Sequence, residues 1–513
     1  MSSWPVLGLA LGYLAALFAI AWWGDRYATR QPEVQERRAP LLYAMSLAVY
    51  CTSWTFYGAI GRAAASGWDF LSIYVGPILL FSLGWPILAK MVRVAKAENT
   101  VSISDFISAR YGKSRVLAAL ITVMAVTVVL PYFALQLKAI TISLEALAGD
   151  PFANRVMDIP GETTFIITCA MALFAILFGV RNIHANEHHR GLMMAISTES
   201  LVKLGAAILV GGGIVFAVAG GPAGIFEQAA DDPRLAHLLT PQFGVSWWSI
   251  TLLAALAILC LPRQFHVTVV ENTHVGDIRT ASWLFPLYLV AINIFVLPVA
   301  LAGLMMFPDG SVNADTFLVT MPQKRGHDWM AVLAFLGGLS AATSMIIVGA
   351  VALSTMVCND LIVPILMAIP SAMRRWQDDP KPMLLTVRQV AVVALLGMAY
   401  LYYLMIGTTF PLATIGTVSF AGVAQFAPAL LMGLFFRRVT KAGAICGLVT
   451  GFVAWGYTVL IPSFAVAGLV PGHLMDQGLF GLGWLTPTGL GGIHDLDTLA
   501  HGALTSLDRK SVV

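Results

Sequence analysis

Between Ala48 and Gly61 the chain reads AVYCTSWTFYGAIG, a row of hydroxyl, phenol and indole groups (Tyr50, Thr52, Ser53, Trp54) inside an apolar run long enough to cross a bilayer. In hydrocarbon an unpaired polar group costs several kcal/mol, so such a row persists only where it faces protein, water or a bound solute. These groups orient and recognise a ligand; none is an activated nucleophile or a metal ligand set. A second apolar run, PYFALQLKA, contributes Tyr132, Gln136 and the charged Lys138, and a third, TESLVK, sets Glu199 and Lys203 at i, i+4 on one helix face. Ionisable side chains inside a membrane are rare and mark ion or substrate paths, which makes Glu199, Lys203 and Lys138 candidates for coupling to a proton. The alternatives are a neutralised structural pair for Glu199 and Lys203, and for Lys138 a snorkelling head group or a distant carboxylate partner.

Polar groups at mid-membrane need helices that break. The predicted seventh span carries Pro262 in AILCLPRQFHV, and a proline inside a helix removes one hydrogen bond and clashes with the preceding turn. The polar row of the second span and Pro262 of the seventh fall at equivalent positions of two successive five-helix halves, the pattern of transporters built from inverted repeats, whose discontinuous helices turn freed backbone toward a midplane ligand. Freed amides at a half-helix N-terminus suit a carboxylate, while Tyr50, Trp54, Tyr132 and Gln136 suit a polar or aromatic side chain. The substrate-site candidates are Tyr50, Thr52, Ser53, Trp54, Tyr132, Gln136 and Pro262. Aromatic residues that merely pack or anchor are the alternative.

The rest of the chain supplies the scaffold. Its 513 residues are 58% hydrophobic and 11% charged, with mean hydropathy +0.80, which places it among integral membrane proteins. Apolar stretches can be read near 4–24, 41–62, 70–92, 116–147, 163–181, 191–220, 247–270, 281–306, 330–357, 386–406, 410–435 and 441–462; at about 20 residues per span these predict about twelve complete helices. Basic loops at 25–40, 93–115, 358–385 and 436–441 alternate with acidic or neutral ones at 63–69 and 221–246, so the basic loops are cytoplasmic and the N-terminus extracytoplasmic. A thirteenth helix begins near Leu499 and stops. The final DRKSVV resembles the translation of a sequencing-adapter read, so residues 508–513 are expected to be artefactual and the natural chain to continue, an ordinary polar tail being the alternative.

Other constellations point away from catalysis. A net charge of +3 without a basic aromatic run excludes nucleic acid as a partner. The five cysteines (Cys51, Cys169, Cys260, Cys358, Cys446) are scattered and read as free thiols. HANEHHR, His184 to Arg190, is a solvated loop rather than a metal site. Asp105 and Arg110 are expected to cap and pin a short helix. No catalytic triad or phosphate loop is present, so the chain is read as non-enzymatic and without a cofactor.

Several of these segments resemble the sodium/solute symporters: NTVSISDFISARYGKSR (Asn99 to Arg115) their signature before the fourth helix, SWTFYGAIG their second helix, STMVCNDLI the end of their ninth, and FAGVAQFAPALLMGLFFRRVTKAGAICG (Phe420 to Gly447) their eleventh and the loop after it. PYFALQLKA and TESLVK are most similar to the transporter-like domain of CbrA-type hybrid sensor histidine kinases. The resemblance implies an all-α polytopic membrane protein of the bacterial inner membrane, an inverted-repeat, LeuT-like helix bundle over residues 1–507 with a kinase module beyond. It implies a secondary amino-acid transporter, histidine its ligand, serving as a kinase input domain with a response regulator as partner through that missing part; a non-transporting receptor is the alternative. It also implies a sodium site at carbonyls of Ala48, Cys51 and Ala341 and hydroxyls at 344 and 345. Ser344 fits, but Met345 offers a soft thioether where sodium takes hard oxygen. Thr343 points about 100° away from Ser344 on a helix and is no substitute. The coupling ion is therefore a proton or a weakly held sodium.

Overall fold

Apolar segments of this length satisfy their backbone in a bilayer by closing their hydrogen bonds within helices. The computed structural model describes residues 3–30, 32–149, 161–180, 190–369, 380–407, 409–471, 473–478 and 485–488, and among them it contains helices and turns and no strand. Nine of these helices are long and apolar enough to cross a membrane, or ten when Val245–Cys260 and Pro262–Val270, bent by 57°, count as one. The expected twelve are not reached. Ala39–Tyr50 and Glu162–Leu177 are apolar but shorter, the first because the chain leaves the helix at Cys51. Residues 54–82, predicted as parts of two spans, count once, although Gly67 turns the chain with φ 57°. The thirteenth helix near Leu499, the tail 508–513 and His184 to His189 lie outside the described residues.

Eight segments build the site, numbered here in chain order: α1 (Pro32–Ser46), α2 (Ala59–Ser66), α3 (Arg115–Ala148), α4 (Arg190–Gly213), α5 (Val245–Cys260), α6 (Pro262–Phe265), α7 (Asp328–Met356) and α8 (Leu412–Val423). The axis is α7, buried without interruption from Gly337 to Met356 and packed extensively on α3 and α4. Lipid tails are as apolar as leucine, so helices associate in a membrane through close packing and interhelical hydrogen bonds rather than through water exclusion. The small residues of α7 meet that demand. A Cβ on Gly338 would lie 2.2 Å from Tyr57 Cε2, and one on Gly337 would lie 2.5 Å from Phe56 Cζ. The Tyr57 hydroxyl then reaches over to donate to Ala334 O at 3.0 Å.

Both predicted breaks are present. After α1 the chain tightens through Leu47–Tyr50 and becomes extended at Cys51 (φ −76°, ψ 95°). It resumes through a wide turn, Trp54–Gly58, that leads into α2. Thr52 stabilises the interruption by accepting the Trp54 N–H at 3.3 Å, the local side-chain bonding that lets Ser and Thr compete with a helix. At the second break Leu261 takes φ −62°, ψ 122°, the extended geometry a following proline imposes. Pro262 opens α6, where its missing N–H costs nothing. Gln264 Nε2 donates to Leu47 O at 3.3 Å and ties one break to the other.

The motif segments that carried the resemblance staple the bundle at one end. Ser102 caps Ile103–Arg110 by accepting the Asp105 N–H at 3.1 Å. Arg110 donates to Gly433 O at 2.7 Å and to Phe436 O at 3.1 Å, at the last turn of Ala427–Phe435. Asp360 accepts from Ser104 and from Thr122, the latter at 2.6 Å. As the sequence suggests, Asp105 and Arg110 serve the scaffold.

Candidate functional site

The two breaks face α3 and α8, and the polar row of the second predicted span is buried among them. Thr52 Oγ1 and the Tyr132 hydroxyl are 3.0 Å apart. Gln136 accepts the Ser53 N–H on Oε1 at 3.2 Å and returns Nε2 to Tyr132 O at 3.3 Å. Ser53 Oγ donates to Gly338 O at 3.3 Å, and the Tyr50 hydroxyl to Ile73 O at 3.2 Å. Around them stands an aromatic frame with Phe420 of α8 at its centre: its ring lies 6.0 Å from Tyr50, 6.2 Å from Trp54 and 5.8 Å from Tyr132, stacked on the last. Tyr50, Thr52, Ser53, Trp54, Tyr132 and Gln136 therefore converge, and Pro262 contributes the break beside them. One expectation is corrected. At the first break two of the half-helix amides are already taken by the protein, that of Ser53 by Gln136 and that of Trp54 by Thr52.

The group left open is Arg263. It follows Pro262 on α6, is 2% exposed, and its guanidinium stands 4.3 Å above the centre of the Tyr132 ring. Among the described residues all three of its nitrogens lack a hydrogen-bond partner, as does the Trp54 indole N–H. A buried guanidinium without an anion loses several kcal/mol of solvation, and a cation–π contact returns only about 0.5–2 kcal/mol of it. Five N–H donors in a rigid fork suit a carboxylate taken bidentately. The sequence reading overlooked Arg263. The available signal was a cation one residue beyond a helix-breaking proline within an apolar span.

The residues matched to a sodium site surround a different cation. Lys203 of α4 is fully buried, and its Nζ donates to Ala48 O at 2.8 Å, to Cys51 O at 2.9 Å and to Ser344 Oγ at 3.5 Å. Ser344 in turn donates to Ala341 O at 3.2 Å. An ammonium has three protons to give, and three acceptors receive them. Met345 runs along α7, its methyl 3.7 Å from a Cβ built on Gly349. Sodium fits this donor set poorly: the oxygens matched to it are already engaged by the ammonium or by Ser344, and residue 345 brings no hydroxyl. A second monovalent cation about 4 Å from the ammonium would also meet a repulsion of about 4 kcal/mol at an effective dielectric of about 20.

Glu199, one turn before Lys203, looks elsewhere. Its Oε1 accepts from Thr343 at 2.6 Å, while Oε2 has no hydrogen-bond partner among the described residues. Thr343 thus points away from Ser344 as helical geometry requires. Lys138 donates to Phe410 O and stands near Asp315, whose Oδ2 accepts the Leu412 N–H at 3.0 Å. The two charges influence each other electrostatically, and Asp315 Oδ1 has no hydrogen-bond partner among the described residues. Burial pushes the Asp315 carboxyl up from 3.8 to about 6, while the Leu412 N–H and Lys138 pull it back. Among the described residues no cluster of three or more histidine, cysteine or acidic side chains could hold a metal.

Comparison with known proteins agrees with this architecture. A solved Na+-coupled sialic acid symporter in a substrate-bound outward-open state superposes with TM-score 0.64 at 15% identity, covering 91% of this chain and 98% of that one, a likeness of fold. The osmoregulated proline transporter OpuE of Bacillus subtilis is 22% identical over 91% of this chain and 92% of its own length. The high-affinity proline transporter PutP of the same organism is 23% identical over 84% and 85%, and its uncharacterized symporter YhjB 24% over 80% and 78%. The description "Sodium:solute symporter family" matches residues 39–451. With most of its length matched and both helix breaks in place, the chain belongs to the sodium:solute symporter family.

Proposed function

We propose that this chain is a secondary transporter that carries a small carboxylate-bearing solute, an amino acid, across a bacterial membrane by alternating access. The observation that carries this reading is Arg263: a buried guanidinium with no hydrogen-bond partner among the described residues, above Tyr132 and between two broken helices. Its fork receives the carboxylate. Trp54 supplies an indole donor and ring face, and Tyr50, Tyr132 and Phe420 enclose the apolar part of the solute. Gln136 and Thr52 act as positioning residues that hold the first break open. The likeness to proline transporters supports an amino acid as the class; histidine as the particular ligand, and a role as input domain to a sensor kinase, rest on the resemblance of PYFALQLKA and TESLVK. The chain has no catalytic role in this reading, and its coupling ion is a proton or sodium. The second reading, a receptor that binds without transporting, is favoured by the cation position held by Lys203.

The test is uptake of labelled histidine and proline into proteoliposomes with sodium and proton gradients imposed separately, beside equilibrium binding of the same solutes. Gradient-driven accumulation supports the transporter. Binding without accumulation under either gradient supports the receptor. Failure to bind any amino acid carboxylate refutes both.

A further inference from the structure

The cation position between α4 and α7 does not match what the family's ion requires, and the mismatch is specific. We propose that the Lys203 ammonium is a built-in replacement for the sodium ion, holding the first break to α7 permanently, so that this protein forms its ligand-binding state without sodium.

Four observations join in this proposal. The two carbonyls released by the break, Ala48 O and Cys51 O, both point at Lys203 Nζ, within 2.9 Å. Ser344, the one hydroxyl retained at the site, is the third acceptor and passes its own proton to Ala341 O. Met345 stands where the second hydroxyl would be needed for a metal ion and is not needed for an ammonium, whose donors are already matched. Lys203 is 0% exposed, and Glu199 one turn earlier takes its hydrogen bond from Thr343 and acts on the ammonium only through space. A tethered cation also binds without loss of translational freedom, which a diffusible ion must give up. Every structural consequence of an ion joining the broken helix to α7 is retained, and dependence on an external ion concentration is lost. The repulsion worked out above would weaken a sodium ion added beside the ammonium about a thousandfold.

The inference deepens the reading of the bundle as a solute carrier and rests on it, but its test needs no solute. Purified protein is melted in sodium, potassium and choline chloride at equal ionic strength, and binding of radiolabelled sodium is measured at equilibrium. The wild type is expected to melt at one temperature in all three salts and to bind no stoichiometric sodium. Lys203→Ala is expected to melt lower in potassium and choline and to regain stability in sodium with a saturable midpoint, as mass action requires of a ligand that binds the folded state. Lys203→Gln, which keeps a donor near the carbonyls, is expected to fold and to stay indifferent to sodium. Stoichiometric sodium binding or a saturable sodium-specific shift in the wild type overturns the proposal. So does a folded Lys203→Ala that ignores sodium. Should that variant not fold, the wild-type measurement decides. Because no amino acid enters either assay, a chain that binds none would refute the solute reading and leave the sodium result standing.

Discussion

Replacing Arg263 by Met separates a ligand-binding guanidinium from a structural one, because the two roles move stability and affinity in opposite directions. In the unliganded protein the side chain has the Tyr132 ring beneath it and, among the described residues, no hydrogen-bond acceptor on Nε, Nη1 or Nη2. Methionine matches the length of the stem and removes the charge. The change forfeits a cation–π contact of about 0.5–2 kcal/mol and relieves a desolvation cost of several kcal/mol. The unliganded melting temperature should therefore hold or rise, by up to about 2 kcal/mol in stability. Binding should respond the other way. A carboxylate held by two charge-assisted hydrogen bonds at about 1.5–3 kcal/mol each gives an expected loss of about 3–6 kcal/mol, or roughly a hundredfold to ten-thousandfold in Kd. The assay is thermal melting with and without amino acid, calibrated by equilibrium binding, with the decarboxylated amine as control ligand. The amine should bind the wild type weakly and Arg263→Met no worse. If Arg263→Met binds the amino acid as the wild type does, or if its unliganded form loses several kcal/mol, the guanidinium has a partner within the protein and the solute assignment fails.

Five further substitutions at four positions test the surrounding geometry. Asp315→Asn keeps an acceptor for the Leu412 N–H but removes a carboxyl that burial pushes from 3.8 to about 6. The folded wild type holds that proton where the unfolded chain has lost it, so its stability should be greatest below 3.8 and fall as pH rises through about 6, by up to about 3 kcal/mol, with the variant flatter in a pH series of melts. Gly338→Ala places a methyl 2.1 Å from the buried Tyr57 hydroxyl, which should cost about 1–3 kcal/mol in denaturant or thermal unfolding. Gly205→Ala on α4, with nothing within 4 Å, should be neutral or stabilising by up to about 1 kcal/mol. Tyr50→Phe loses the bond to Ile73 O and should cost about 1 kcal/mol of stability while leaving ligand affinity unchanged. Tyr50→Ala also removes the ring beside Phe420 and should weaken binding by about 1–3 kcal/mol; equal affinities for the two variants would take Tyr50 out of the site.

The parts of this site that were legible in the sequence are those where one segment contradicts its own surroundings. A polar row at Tyr50 to Trp54 and a proline at 262 are each at odds with an unbroken apolar helix, and both breaks followed. The span count was less legible, since hydropathy registers apolar length and is blind to a turn such as that at Gly67, whose cause is a backbone angle. Arg263 was hidden because a charge beside a proline reads equally well as the edge of a loop; only the burial of α6 shows that it has no water to fall back on. Lys203 shows the deeper limit. Its spacing from Glu199 on one helix face suggested a pair, yet in the fold its ammonium serves carbonyls 155 and 152 residues away, and no periodicity carries such a contact. Met345 had already supplied half of that conclusion from sequence, since a sulfur in place of a hydroxyl takes an oxygen from the cation position. A site that gives up a metal ligand should collapse or find another cation. The three acceptors around Lys203 are what the second outcome requires, and the proposal that Lys203 stands in for the ion accounts for Met345 and Lys203 together.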